Sequence, residues 1–265
     1  MKFTKDTYQF IYNKIPKLIK AGYTSKEIST ILNISISSVM RACKKLGLSI
    51  PNYHNSLKFD NTVFDKIDTE EKAYWLGFLY ADGNTHKTMN IINLSLSIKD
   101  YNHLVKYQSF LKTTTKIVIK SVKVNDKTYK ACSLAVCDKH FKQRLIELGC
   151  YPNKSLILTF PNKSIFETNN LIYDFIRGYI DGDGCLTYSR VGKLAINIVG
   201  TKNMMESISA YFPNQFRKII PIVRKNTVDM LSSEGKKAEH IANILYSKAS
   251  IYLDRKYDRF CRLVK

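Results

Sequence analysis

Two aspartates in this sequence stand in matched surroundings. Asp82 lies near the end of AYWLGFLYADG at 73–83, and Asp183 near the end of YDFIRGYIDGDG at 173–184. Each follows an apolar helical stretch and precedes a glycine, Gly83 or Gly184. A carboxylate in the last turn of a helix faces the negative end of the macrodipole and is disfavoured by roughly 0.3–1 kcal/mol. One Asp-Gly pair at a helix end is ordinarily a turn. Here two occur, on helices with matched small-residue faces: Gly77 with Ala81, and Gly178 with Gly182. Residues four apart share a face, and small ones let two backbones come close. Helices packed on those faces would bring both carboxylates together, where repulsion demands a cation. Hard divalent ions with oxygen ligands, Mg2+ or Mn2+, meet that demand, with the carbonyls of Ala81 and Gly182 within reach of them. Gly83 and Gly184 are expected to end the helices in the left-handed conformation.

The elements around the aspartates repeat. After the first lies IINLSLSIK, with Ile92, Leu94, Leu96 and Ile98 on one face and Asn93, Ser95 and Ser97 on the other. After the second lies KLAINIVGTK, with Leu194, Ile196 and Ile198 inward and Lys193 and Asn197 outward. This period of two marks sheets with one buried face. Short helices follow near 100–111 and 202–211. A hairpin turning near Asn125-Asp126-Lys127 comes next in the first half, and the less regular FRKIIPIVRKNTVDML in the second. Each half closes with a helix, HFKQRLIELG or AEHIANILYS. The expected class is α/β (α+β): tandem αββαββα halves at 62–160 and 161–265, with two antiparallel sheets. A small all-α module at 1–48 and a polar linker at 49–61 precede them. In that module Ile28, Ile31 and Leu32 line a helix capped by Thr24 or Ser25. A second helix carries Val39, Met40, Cys43 and Leu46 inward and ends at Gly47. Two short helices so closely joined are the pattern of a helix-turn-helix.

Composition narrows the partners. The 265 residues hold 42 Lys plus Arg against 22 Asp plus Glu, a net charge of +20. Such an excess draws a chain to polyanions, nucleic acid first and an anionic membrane surface second. No apolar run approaches the ~20 residues that span a bilayer, and the N-terminus lacks a signal-peptide core. Six scattered cysteines without a CxxC pair argue against a zinc or disulfide framework. A non-secreted protein of a reducing compartment is expected, in the cytoplasm at the nucleoid or in an organellar matrix.

The runs WLGFLYADG and IRGYIDGDG resemble the two dodecapeptide signatures of the LAGLIDADG homing endonucleases. The resemblance covers about 60–265, including GCYPNKSLILTFP between the halves and LYSKASIYLDRKYDRF near the end. It implies a monomer with pseudo-twofold symmetry that cuts both strands of a long DNA site with divalent metal, leaving short 3′ overhangs. Asp82 and Asp183 take the metal-binding and catalytic places. Tyr80 stands where the first signature often has Asp, a position that is not catalytic. Metal supplies an activated water and clamps an in-line displacement. Lysines offset transition-state charge. The resemblance puts these where the last strand of each half enters its helix, hence Lys139 and Lys236, with Lys237 in reserve.

DNA contact is expected from the outward sheet faces, through Asn93, Ser95, Ser97, Lys193 and Asn197, with Lys116, Lys120, Lys123 and Lys130 on the hairpin. Ser37, Ser38, Arg41, Lys44 and Lys45 form the outer face of the helix-turn-helix's second helix, suited to a major groove. Arg255, Lys256, Arg259 and Arg262 are expected to be backbone contacts or solvated. The alternative is a non-catalytic nucleic-acid binder, an intron maturase or transcriptional regulator. A regulator would be expected to lose the acidic pair.

Overall fold

The computed structural model of the chain describes residues 5–21, 23, 25–48, 59–124, 126–222 and 228–262. It divides into two units, Met1–Lys58 and Phe59–Lys265, each with its own core. In the first unit α1 (Lys5–Lys20), α2 (Ser25–Leu32) and α3 (Ile36–Lys45) close around Ile11, Ile15, Ile28, Ile34, Val39, Ala42 and Cys43. Asn33, at φ +50°, turns the chain out of α2, and the Ser35 hydroxyl caps α3 by accepting from Ser38 N at 3.1 Å. Gly47 follows α3 at φ +65°. Two residues expected inside, Met40 and Leu46, are exposed, as is Ile31 of α2. The inner stripe of α3 is Val39, Ala42 and Cys43, a spacing of three and four that leaves Met40 on the far side. The Thr24 cap and linker residues 49–58 lie outside the described residues. The expected linker ends earlier than 61. Phe59 packs edge-on against Phe141 at 5.2 Å, and Asp60 accepts from Lys112 Nζ at 3.0 Å, so both belong to the body.

The body runs α4 (Glu70–Asp82), β1 (Gly83–Thr85), β2 (Ile91–Ser97), α5 (Tyr101–Phe110), β3 (Val118–Val124), β4 (Lys127–Cys137) and α6 (Lys139–Glu147). The second half repeats this as α7 (Asn170–Asp183), β5 (Gly184–Tyr188), β6 (Leu194–Gly200), α8 (Lys202–Ala210), β7 (Ile220–Pro221), β8 (Asp229–Glu234) and α9 (Lys236–Tyr246). An extra helix, α10 (Asp254–Cys261), follows. The strands form two antiparallel sheets ordered β1-β2-β4-β3 and β5-β6-β8-β7, the α+β repeat expected from the sequence. Of the first hairpin turn, Asn125 is outside the described residues and Asp126 takes φ +62°.

Local chemistry starts and stops these elements. Thr69 caps α4, Asp138 caps α6 and Thr201 caps α8, each accepting a backbone N–H two or three residues into its helix. Gly235 precedes α9 at φ +62°. In β2 and β6 alternate residues are buried, so each sheet lays one face on the core. Helix α4 is buried all round from Ala73 to Tyr80, and α7 from Phe175 to Asp181. A helix apolar on every side must be enclosed by other elements, and α4 and α7 lie against each other at the centre of the body. All six cysteines are free. Among the described residues no helix is long and apolar enough to cross a membrane.

Candidate active site at the paired helix ends

The small-residue faces do what their spacing implied. A methyl group added at Gly77 would overlap the Phe175 carbonyl, and one at Gly178 would overlap the Tyr74 carbonyl. Residue 74 thus stands to 178 as 175 stands to 77, a reciprocal crossing that only backbone can occupy. Further along, a methyl at Gly182 would strike the Ala81 side chain and stand 3.5 Å from Asp82 Oδ2. The Asp82 carboxylate therefore lies against the end of the opposite helix. The two glycines after the aspartates are not left-handed, contrary to expectation. Gly83 has φ −68°, ψ 138° and Gly184 φ −86°, ψ 162°, both extended. Their glycine requirement is one of space. A Cβ would come within 2.5 Å of Leu79 O at Gly83 and 2.6 Å of Ile180 O at Gly184, because the chain folds from helix straight into strand.

The electrostatics mark the pair. Burial first and the Asp183 charge second raise the Asp82 carboxyl to about 6, against opposing pulls from Lys256 and Lys154. Asp183 has the more exposed surface of the two. It too is raised by the protein packed around it, and the same two lysines oppose the shift. Two carboxylates that disfavour each other's charge, beside backbone carbonyls, form an all-oxygen donor set suited to a hard divalent cation. Among the described residues no group of three or more His, Cys, Asp and Glu gathers anywhere. Carbonyls, water or a substrate phosphate would have to complete the coordination.

The lysines at the site are not the expected ones. Lys139 and Lys236 are the exposed first residues of α6 and α9. Gly83 lies opposite Leu94 and Leu94 opposite Leu134, while Gly184 lies opposite Ile198 and Ile198 opposite Leu231. Each expected lysine lies five residues beyond that row, past the strand end and at the start of the following helix. Instead, Lys154 Nζ donates to Gly83 O and, at 3.4 Å, to Ala81 O. Lys256 Nζ donates to the carbonyls of Ile180, Asp181 and Gly184, each at 2.6 Å. Lys256 was expected to be solvated or a backbone contact to DNA. It is 1% exposed, and burial lowers its pKa to about 8. Both lysines cap helix ends whose last carbonyls lack partners, as cations at the negative end of the dipole do. In a chain with so many lysines their type carried no signal. Their matched positions, after the closing helix of each half, did.

Around this centre lies a buried polar network. Asp181, 0% exposed, accepts from the Tyr74 hydroxyl at 2.8 Å, the Tyr246 hydroxyl at 2.6 Å and Leu253 N at 2.8 Å. Tyr74 also meets His103 Nε2 at 3.0 Å. Arg177 donates to Glu70 and Asp174 and to the carbonyls of Ile251 and Leu245, tying α4, α7 and the C-terminal segment together. Tyr80 packs on the neighbouring helix, its ring edge-on to Phe175 at 4.9 Å.

Strand register sorts the expected surface residues. Asn93, Ser95 and Ser97 pair with Ala135, Ser133 and Ala131. Lys120 pairs with Ala131, so it shares their outer face. Lys127, which was not among the expected residues, has the same parity. Lys130 pairs with Ser121 and Lys123 with Thr128, and both project from the opposite face. Lys116 precedes β3 and is exposed. On the second sheet Asn197 lies between Cys185 and Ser232, with exposed Lys193 just before β6. In the first unit Ser37, Arg41, Lys44 and Lys45 are exposed and Ser38 half-buried. The Ser37 and Ser38 hydroxyls bond to Ser35, and Arg41 Nε donates to Ser37 O at 3.3 Å.

No protein-family model matches the sequence. No curated protein matches it either. Solved structures do. The homing endonuclease I-WcaI bound to its DNA recognition sequence aligns with a TM-score of 0.53 at 11% identity, covering 72% of this chain and 87% of that one. The LAGLIDADG homing endonuclease I-LtrWI bound to target DNA gives 0.47 at 14% identity, covering 74% and 90%. The LAGLIDADG meganuclease I-AabMI bound to uncleaved DNA gives 0.44 at 16% identity, covering 72% and 88%. At 11% identity the likeness to I-WcaI is one of architecture alone. The body of this chain has the fold of the LAGLIDADG homing endonucleases.

Proposed function

We propose that the protein is a site-specific double-strand DNA endonuclease, acting as a monomer. The observation that carries this is the pair Asp82 and Asp183. Each ends a helix, the two helices cross without room for a side chain, and each helix end holds a lysine. A structural protein gains nothing from two carboxylates placed to repel each other. A phosphodiesterase needs them.

Asp82 and Asp183, with the carbonyls of Ala81 and Gly182, would hold divalent metal, Mg2+ or Mn2+. When bound, the metal supplies positive charge that lowers the proton affinity of water and of the leaving oxygen. The chain's own groups do the rest. Lys154 and Lys256, each bonded to carbonyls at the helix end that carries an aspartate, would offset the charge of the phosphate oxygens in the transition state, the role expected of Lys139 and Lys236. The outer sheet faces, through Asn93, Ser95, Ser97, Lys120 and Lys127 on one side and Asn197 and Lys193 on the other, position the duplex and read base edges. Lys116 adds charge beside the first sheet. Helix α3, following α2 after three residues, serves as the second helix of a helix-turn-helix. Its Ser37, Ser38, Arg41, Lys44 and Lys45 extend the footprint.

The test uses purified protein, a randomised duplex library and Mg2+, with Asp82→Asn and Asp183→Asn in parallel. The wild type cuts a recoverable subset of duplexes, and each variant loses cleavage while still binding. Identical behaviour of wild type and variants would sink the catalytic assignment. Binding without cleavage by the wild type would favour a non-catalytic binder.

A further inference from the structure

We propose that positions 80 and 181, the same place in the two signatures, set the lysine at each helix end, and that Tyr80 and Asp181 make the two ends unequal. The inference rests on the endonuclease reading and gives a positioning role to two side chains that do not reach the reacting atoms.

Each of these side chains reaches the chain that returns from the closing helix of its own half with the lysine. The Tyr80 hydroxyl donates to Leu148 O, just past the end of α6. Gly149 follows at φ +100°, where a Cβ would collide with that hydroxyl. Lys154 comes five residues after Gly149, on a single 3-10 turn behind the left-handed Asn153. Asp181 accepts from the hydroxyl of Tyr246, the last residue of α9, and from the N–H of Leu253, the N-cap residue of α10. Lys256 lies three residues later, in the first turn of α10.

The two holds differ in kind. Tyr80 is neutral and makes one hydrogen bond to a carbonyl. Asp181 is a buried carboxylate with three donors, and its charge acts on Lys256. Three hydrogen bonds fix a buried group and the chain around it more firmly than one does. The lysines reflect this: three carbonyls at 2.6 Å surround Lys256, and two hold Lys154, one of them at 3.4 Å. The second end is therefore the better fixed. Misplacing a catalytic group by about 1 Å costs on the order of 100-fold in rate, so the strand served by Lys256 is cut faster than the strand served by Lys154.

The experiment uses the full chain and a duplex recovered from the randomised library, with a different fluorophore at each 5′ end. Single-turnover cleavage in Mg2+ then gives a rate for each strand. Lys154→Met and Lys256→Met assign a strand to each end. Tyr80→Phe is expected to slow the Lys154 strand about tenfold and the other under about twofold, and Asp181→Asn to do the reverse. Tyr246→Phe, which removes one donor and leaves the carboxylate, carries the same test if Asp181→Asn does not fold. Equal slowing of both strands in variants that unfold at the wild-type temperature overturns the inference. So do lysine variants that slow both strands alike, and so does equal cutting of both strands by the wild type. A wild type that cuts neither strand overturns the endonuclease reading and this inference with it; cutting with an unmoved strand ratio overturns the inference alone.

Discussion

Burial holds the His103 imidazole at about 3, against its ordinary 6.5, with Lys106, Arg255 and Lys256 adding to the shift. The unfolded chain then binds a proton between those values that the folded chain refuses. His103 contributes stability that is complete above pH 6.5 and is lost as pH falls, by up to about 1.4 kcal/mol per pH unit. His103→Gln should flatten the pH dependence of the unfolding temperature between pH 6.5 and 4, measured by calorimetry beside the wild type. A pH dependence equal to the wild type's would show the imidazole to be protonated inside the fold. The aspartates predict the opposite bargain between stability and function. With metal chelated, Asp183→Asn should relieve the repulsion on Asp82 and raise the unfolding temperature, by about 2–4 °C for each kcal/mol relieved. The same variant should lose the rise in unfolding temperature that Mg2+ gives the wild type. A variant less stable than the wild type in chelator would mean that the carboxylates do not strain each other.

At the scale of elements, the crossing of α4 and α7 is where backbone meets backbone. Gly77→Ala and Gly178→Ala each place a methyl group on a carbonyl of the other helix. Neither helix can yield without moving an aspartate, so each change should cost at least the roughly 1–3 kcal/mol typical of overpacking. Denaturant melts check this, and destabilisation under about 0.5 kcal/mol would show that the helices are not so close. These glycines were readable in advance because their spacing of four is a helix property. The lysines were not. Lys139 and Lys236 were chosen by their place beside a strand end, but strand register sets them five residues past the helix ends. Register also divided Lys120 from Lys123 and Lys130, since neighbours along a strand face opposite ways.

For the molecule as a whole, the net charge of +20 is shared between two units with separate cores. The only acidic residues in 1–58 are Asp6 and Glu27. Removing 1–58 should leave the unfolding temperature of the body within about 2–4 °C of its own transition in the full chain, a change of at most ~1 kcal/mol. It should also weaken duplex binding and reduce the slope of log affinity against log salt by about 0.9 for each phosphate that the first unit had neutralised. Chemistry on a bound duplex should survive. Filter binding over a salt series separates the outcomes: an unchanged slope would mean that the first unit does not touch DNA.

The sequence by itself determined what depends on local periodicity. The paired signatures and the strand alternation at 91–97 and 194–200 are near-neighbour properties, and the repeat made them legible twice. Tertiary structure alone decided what depends on distant chain segments meeting. It brought Lys154 and Lys256 to the helix-end carbonyls, enclosed Asp181 among hydroxyls from α4 and α9, and set Gly83 and Gly184 extended where a left-handed cap was expected. The reason is physical. Spacing along one helix or strand fixes which residues share a face, but not which of many lysines will find an unpartnered carbonyl once the chain has closed around it.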